Sequence, residues 1–220
     1  MAVTRLKPQA LDYDTGWRKI LSTLTYASAT TVTISGDWTG VFQKGDKLTF
    51  TQSTGGTKYF YIVGVSYGAP NTTLTLLAGN VHTVANEAIT LPYYSKIENP
   101  QGFPGYFAYT ASLTGFSADP THTESFWING NVCHIRFSCT TNGTSNSTAF
   151  TISLPVNAIT TSARVWKQVI QVVDNGTVQS GVAYVAAVSQ TLITLKATVA
   201  EANFTNSGNK SSSLEMWYEI

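Results

Sequence analysis

Charge is scarce in this chain. Asp, Glu, Lys and Arg make up 11% of its 220 residues and the formal net charge is +1, against about 25% charged residues in an average soluble domain. No basic footprint for phosphate is present, so nucleic acid is not expected as a partner. Cysteine is almost missing too: Cys133 and Cys139 are the two, six apart in "VCHIRFSC". Along one strand that separation spans about 20 Å, while a disulfide needs Cα atoms within about 7 Å. Both thiols therefore read as reduced, buried fillers. Long apolar runs are also lacking. Nothing approaches the roughly 18 residues of a membrane span, so membrane insertion is not expected. "MAVTRLKPQALDYDTGWRKI" has no apolar core of a secretory signal, which points to synthesis in a cytoplasm.

Catalytic signatures are equally thin. No P-loop, dinucleotide fingerprint or G-x-S-x-G elbow occurs. The acidic residues are scattered, with no pair placed for glycoside hydrolysis. His122 and Glu124 in "THTE" form an H-x-E, but no Pro-Cys-x-x-Cys follows to complete a zinc site; they read as solvated turn residues. His82 and His134 stand alone. The sequence therefore predicts no enzyme, no cofactor and no metal.

What is abundant is Thr, Ser, Asn, Gln and Gly. Such a neutral, hydroxyl-rich surface suits the outward positions of strands and is cheap to desolvate in subunit contacts. Alternating segments follow one another closely: "TTVTIS", "DKLTFTQ", "KYFYIVGVSY", "NTTLTLLAG" and "EAITLPYY", separated by turn formers. They predict an all-β chain that starts with an N-terminal arm over 1–24 and a small barrel-like domain over 25–92. Residues 93–107, "YYSKIENPQGFPGYF", carry two prolines and five aromatics. Pro100 and Pro104 restrict the backbone and Phe103 offers apolar surface, so an ordered linker is expected. A β-sandwich of jelly-roll type is expected over 108–220, with an Asn175-Gly176 hairpin turn and a second turn at Ser189-Gln190. "GVAYVAAV" is apolar on both parities. A two-sheet sandwich buries one face of each strand, so this points to cover by another subunit, a homotrimer.

One candidate site emerges from the last strand, "LEMWYEI". Alternation turns Leu214, Met216, Tyr218 and Ile220 inward and leaves Trp217 outward between Glu215 and Glu219. The indole reads either as a packing surface for a neighbouring subunit or as a platform for a sugar ring with a carboxylate beside it; a bulge that shifts the parity is the third reading.

Three segments together resemble known proteins. "FQKGDKLTFTQSTGGTKYFYIVGVSYGAPNTTLTLLAG" resembles a small β domain of tailed-phage and prophage structural proteins. "YYSKIENPQGFP" resembles the linker that follows it, and "SLTGFSADPTHTESFWINGNVCHIRFSCTTNGTSNSTAFTISLPVNA" the start of the C-terminal β-sandwich of tail fibres and related minor structural proteins. The resemblance implies a virion protein: a trimeric tail fibre or receptor-binding protein. Another virion protein would hold its arm and first domain, and host surface polysaccharide is a possible ligand. A capsid head fibre or decoration protein and a lectin-like carbohydrate-binding module are the alternatives.

Overall fold

The computed structural model describes residues 15–159, 166–186 and 190–220. These are all-β, with no helix among the described residues. They divide into two compact units. One runs to Ala78 and resumes over His82–Gly105; the other comprises Gly79–Val81 and Tyr106–Ile220.

The first unit contains β1 (Arg18–Lys19), β2 (Leu24–Ser28), β3 (Thr31–Ser35), β4 (Lys47–Gln52), β5 (Gly56–Gly68), β6 (Asn71–Leu77) and β7 (Thr90–Ser95). They pair antiparallel in the order β1-β7-β4-β5-β6-β3-β2. Period-two alternation explains the core. Val32 and Ile34, Leu48 and Phe50, Phe60 and Ile62, and Leu74 and Leu76 all turn to one face and are buried. The Phe50 and Phe60 rings stack there at 5.2 Å. At the edge of this face Lys58 is buried, its Nζ donating to Gln52 Oε1 (3.0 Å) and to the Thr83 carbonyl (2.8 Å). Buried ammonium groups persist only when acceptors replace water in this way.

The opposite face of β4 and β5 is covered as well, by segments the sequence placed outside the domain. Trp17 is buried and its Nε1 donates to the Gln101 carbonyl at 2.8 Å. Phe103 packs edge-on against Tyr61 (5.0 Å) and Tyr59 (6.0 Å) and lies 6.1 Å from Trp17. Pro100 is buried and Pro104 half-buried. Thus residues 15–24 are not a loose arm: β1 pairs with β7 through Arg18↔Tyr94 and Lys19↔Tyr93. Residues 1–14 of the expected arm lie outside the described residues. Tyr93 and Tyr94, read as linker, belong to β7, and the "linker" as far as Gly105 is part of the first unit. The physical reason is that its aromatic rings gain more by lining a sheet than by spanning a gap.

The second unit comprises β8 (Phe107–Ala108), β9 (Leu113–Thr114), β10 (Phe116–Ala118), β11 (His122–Asn129), β12 (Val132–Cys139), β13 (Gly143–Ser145), β14 (Thr151–Ser153), β15 (Trp166–Asp174), β16 (Thr177–Val185), β17 (Leu192–Lys196) and β18 (Asn209–Glu219). They hydrogen-bond as one sheet in the order β8-β11-β12-β18-β15-β16-β17-β14-β9, with β13 attached to β18 and β10 to β13. The β15–β16 turn has Asn175 at φ 48° and Gly176 at φ 79°, the left-handed pair that a two-residue hairpin requires. The turn expected at Ser189-Gln190 falls partly outside the described residues. Phe126, Ile135, Phe137, Phe150, Ile152, Ile193, Leu195 and Tyr218 fill the core.

Both faces of β16 are buried in part by this chain itself, as Val182 and Ala183 are both covered. The outward strip that continues from Val182 is different. Val169 is 63% and Val178 60% exposed, and the register pairs Val169 with Val182 and Val173 with Val178.

Cys133 and Cys139 are free; Cys133 is buried, whereas Cys139 at the end of β12 is half-buried, less covered than its strand parity suggests. Burial pushes the Cys133 thiol up to about 12. A thiol reagent at pH 8 is therefore expected to label Cys139 slowly in the native protein and Cys133 only after unfolding; rapid native labelling of two thiols would contradict this.

Lys210 is fully buried. Its Nζ donates to the carbonyls of Ser147 (2.9 Å) and Ala149 (2.5 Å) and lies 4.8 Å from the Phe116 ring, 5.6 Å from Phe204 and 5.9 Å from Phe150. Burial lowers its pKa to about 8, partly opposed by Asp174. The unfolded chain then binds the extra proton between about pH 8 and the ordinary lysine range, so this group's contribution to stability rises with pH across that window. Lys210→Met keeps the apolar packing but strands two carbonyls. It is expected to cost about 1–3 kcal/mol at pH 7 and to flatten the rise in urea midpoint between pH 8 and 9 relative to the parent.

Candidate functional site

Strands β11, β12 and β18 lie side by side, and their alternation leaves one face outward. The turn that joins β11 to β12 has two residues, Gly130 and Asn131, with Gly130 at φ 57°. That tight turn fixes the register Trp127↔His134, and β18 adds His134↔Trp217. Three aromatic side chains therefore stand in one row across three strands. The Trp127 and His134 rings stack at 4.8 Å and 9°, and Trp217 is 54% exposed.

The next row is Ser125↔Arg136↔Glu215. Arg136 Nε donates to Glu215 Oε2 at 2.9 Å and its guanidinium lies 5.1 Å from the Trp127 ring. The hydrogen bond and charge of Glu215 raise the Arg136 pKa further. An exposed ion pair of this kind adds little to stability; its consequence is orientation, because each side chain holds the other beside the aromatic row. A third row, Thr123↔Ser138↔Ser213↔Gln171, is neutral, with Ser138 and Ser213 hydroxyls 2.9 Å apart.

Shallow depressions flank the Arg136–Glu215 pair. One, of about 350 Å³, lies where β15 diverges from β18 beyond Gln171↔Ser213 and is lined by Trp166, Lys167, Gln168, Glu215, Met216 and Trp217. The other, of about 410 Å³, is lined by residues that include Tyr106, Thr123, Ser125, Arg136 and Ser138. Both volumes fall within the usual range for small-ligand sites, about 300–1,000 Å³. The face offers aromatic planes, a fixed guanidinium–carboxylate pair and hydroxyls. Those groups can bind by stacking and hydrogen bonding; they do not form a nucleophile–base pair.

Trp217 and Glu215 thus lie together on the exposed face, at the inward–outward parity read from the sequence. Glu219 is half-buried at the end of β18, where its carbonyl accepts from the Ile159 amide at 2.8 Å. Pro100, Phe103 and Pro104 belong to the first unit. Trp127 and Arg136 were not singled out by sequence reasoning, and His134, read there as standing alone, stacks on Trp127 in the row with Trp217. The signal was present in "WINGNVCH", because a two-residue Gly-Asn turn brings Trp127 opposite His134.

His122 and Glu124 are not solvated turn residues. They share one face of β11, Nδ1 to Oε2 at 2.7 Å, with side chains largely covered, and Glu124 Oε1 also accepts from the Ala111 amide at 2.7 Å. The pair ties the segment before β9 to the sheet. Among the described residues no group of three or more His, Cys, Asp or Glu is placed to hold a metal ion.

Compared with known proteins, the chain matches no family model, no curated protein and no solved structure.

Replacing Arg136 with Ala is expected to free the Trp127 and Glu215 side chains while leaving the fold intact. Thermal unfolding should move by no more than about 1–2 °C, and any salt dependence of Trp fluorescence in the parent should be absent from the variant.

Proposed function

We propose that the chain is a virion structural protein of the tail-fibre or receptor-binding type, trimeric, that attaches a phage to a host surface through its second unit. The observation that carries this reading is the outward row Trp127–His134–Trp217 beside the Arg136–Glu215 pair. A stable sheet protein has no folding need for an exposed indole flanked by an oriented ion pair, whereas a protein that grips saccharide or protein surfaces does. Low charge and a hydroxyl-rich surface support the same reading, as does the resemblance of its segments to phage structural proteins. The exposed strip at Val169 and Val178 is the surface that favours self-association. A lectin-like module outside a virion is the second reading, since the same aromatic face would serve it.

Two variants separate the roles. Trp217→Ala is expected to weaken adsorption to host cells by about 2 kcal/mol, roughly thirtyfold in Kd, while light scattering still reports a trimer. Val169→Lys combined with Val178→Lys is expected to lower the mass from three chains to one. A parent protein that runs at 23.7 kDa at micromolar concentration would remove the trimer and favour the isolated module; unchanged adsorption by Trp217→Ala would remove the aromatic row as the attachment face.

A further inference from the structure

The first unit carries a second concave surface, on the face of β4, β5 and β7 opposite the main core. Its centre is one cross-strand row, Tyr59↔Thr49↔Tyr93. A small Thr between two Tyr residues makes a trough whose walls are rings. Thr49 is buried and its hydroxyl is committed to the Lys58 carbonyl at 2.9 Å, so it forms a floor rather than a donor. In the adjacent row, Thr57↔Thr51↔Thr90, Thr51 and Thr57 supply hydroxyls along one side, while the Thr90 hydroxyl donates to the Thr51 carbonyl at 3.0 Å. Trp17 closes one end, its ring 6.4 Å from Tyr59, and Gln101 brings an amide to the same end. The trough encloses about 400 Å³.

Two features distinguish it from an ordinary dimple on a sheet. Among the described residues no charged side chain lines it, although β4 and β5 themselves carry Lys47 and Lys58 and β1 carries Lys19. And the strand that walls it is distorted. β4 and β7 lose register between Thr49↔Tyr93 and Thr51↔Thr90. The bulged Leu91 adopts φ 49°, a left-handed conformation unusual for leucine, and stands 57% exposed on the trough's rim. Bulges and left-handed non-glycine residues gather where a side chain is aimed at a ligand. Here the distortion leaves an apolar side chain exposed among the described residues.

We infer that this trough is a binding site for a neutral saccharide, one or two pyranose rings of an uncharged glycan. The chemistry is complementary group by group: ring faces of Tyr59 and Tyr93 against the C–H face of a sugar, Leu91 against its edge, and the Thr51, Thr57 and Gln101 side chains toward its hydroxyls. Against the described lining a phosphate or uronate would be desolvated without a counter-ion, so a neutral ligand fits it better. This site is separate from the aromatic face of the second unit and does not depend on it.

Saturation-transfer NMR on the full chain tests the inference, with maltotriose, lactose, mannotriose and chitotriose as probes and glucuronic acid as the charged control. At least one neutral probe should receive saturation, strongest on ring C–H protons, with a Kd near or below about 1 mM, and glucuronic acid should receive none. Thr57→Trp, an exposed strand position that tolerates an aromatic residue, should fill the trough and reduce affinity about tenfold or more. Leu91→Gly suits the left-handed backbone, so it should leave the melting temperature within a few degrees while also weakening the sugar. Trp217→Ala should leave this signal unchanged even if it abolishes cell adsorption. The inference is overturned if no neutral probe is saturated, if saturation survives both trough variants when each also carries Trp217→Ala, or if it disappears with Trp217→Ala alone.

Discussion

Strand β18 holds the second unit together. Its 11 residues pair with β12 and then β13 along one edge and with β15 along the other. One alternation therefore has to satisfy two neighbours at once. Leu214, Met216 and Tyr218 supply the core while Ser213, Glu215 and Trp217 face out. A slip of one residue would exchange these sets, placing a carboxylate and an indole where Phe137 and Ile135 pack. Everything on the outward face depends on that register, including the alignment of Trp217 with His134 and of Glu215 with Arg136. Lys210 near the start of the strand locks it further, because its ammonium is spent on the carbonyls of the Ser147–Ala149 loop inside a ring of phenylalanines.

The scarcity of charge has a structural counterpart. Of the few cations, Lys58 and Lys210 are buried and bonded to carbonyl or amide oxygens, and Lys47 is buried with its pKa lowered by desolvation. These lysines work as internal pins rather than as solubilising surface. What remains outside is mainly hydroxyl and amide, with aromatic rows at a few places. Such a surface can make weak, water-tolerant contacts over many positions.

Both proposed contact surfaces use the same construction. In each, three adjacent antiparallel strands place side chains in a straight cross-strand row, and a tight turn or a bulge sets which residues meet. The rows differ in charge. The second unit pairs its indoles and imidazole with a guanidinium and a carboxylate, and the first unit pairs its tyrosines with threonine alone. Aromatic groups in such rows contribute through area and rigidity, so little conformational entropy is lost when a ligand arrives.

Much of this was legible along the chain. Alternation in "TVTIS", "KLTFTQ" and "LEMWYE" declares which side chains turn inward, since strand geometry sends successive residues to opposite faces whatever the neighbours are. Asn175-Gly176 declares its hairpin because left-handed backbone is accessible there at low cost. The outward orientation of Trp217 follows from the same local rule. Partnership between distant segments does not. That Trp17, Gln101 and Phe103 would close over β4 and β5 required knowing that β1 joins β7 and that the proline-bearing stretch folds back. That Trp127 and Arg136 would meet the row of Trp217 required knowing that the last strand inserts beside β12. His122 and Glu124, read as solvated, became covered when the segment before β9 laid its Ala111 amide on the carboxylate. Local chemistry sets conformation and facing, because those depend on a few adjacent dihedrals; which faces come together depends on strand order, and strand order is decided by burial summed over the whole unit.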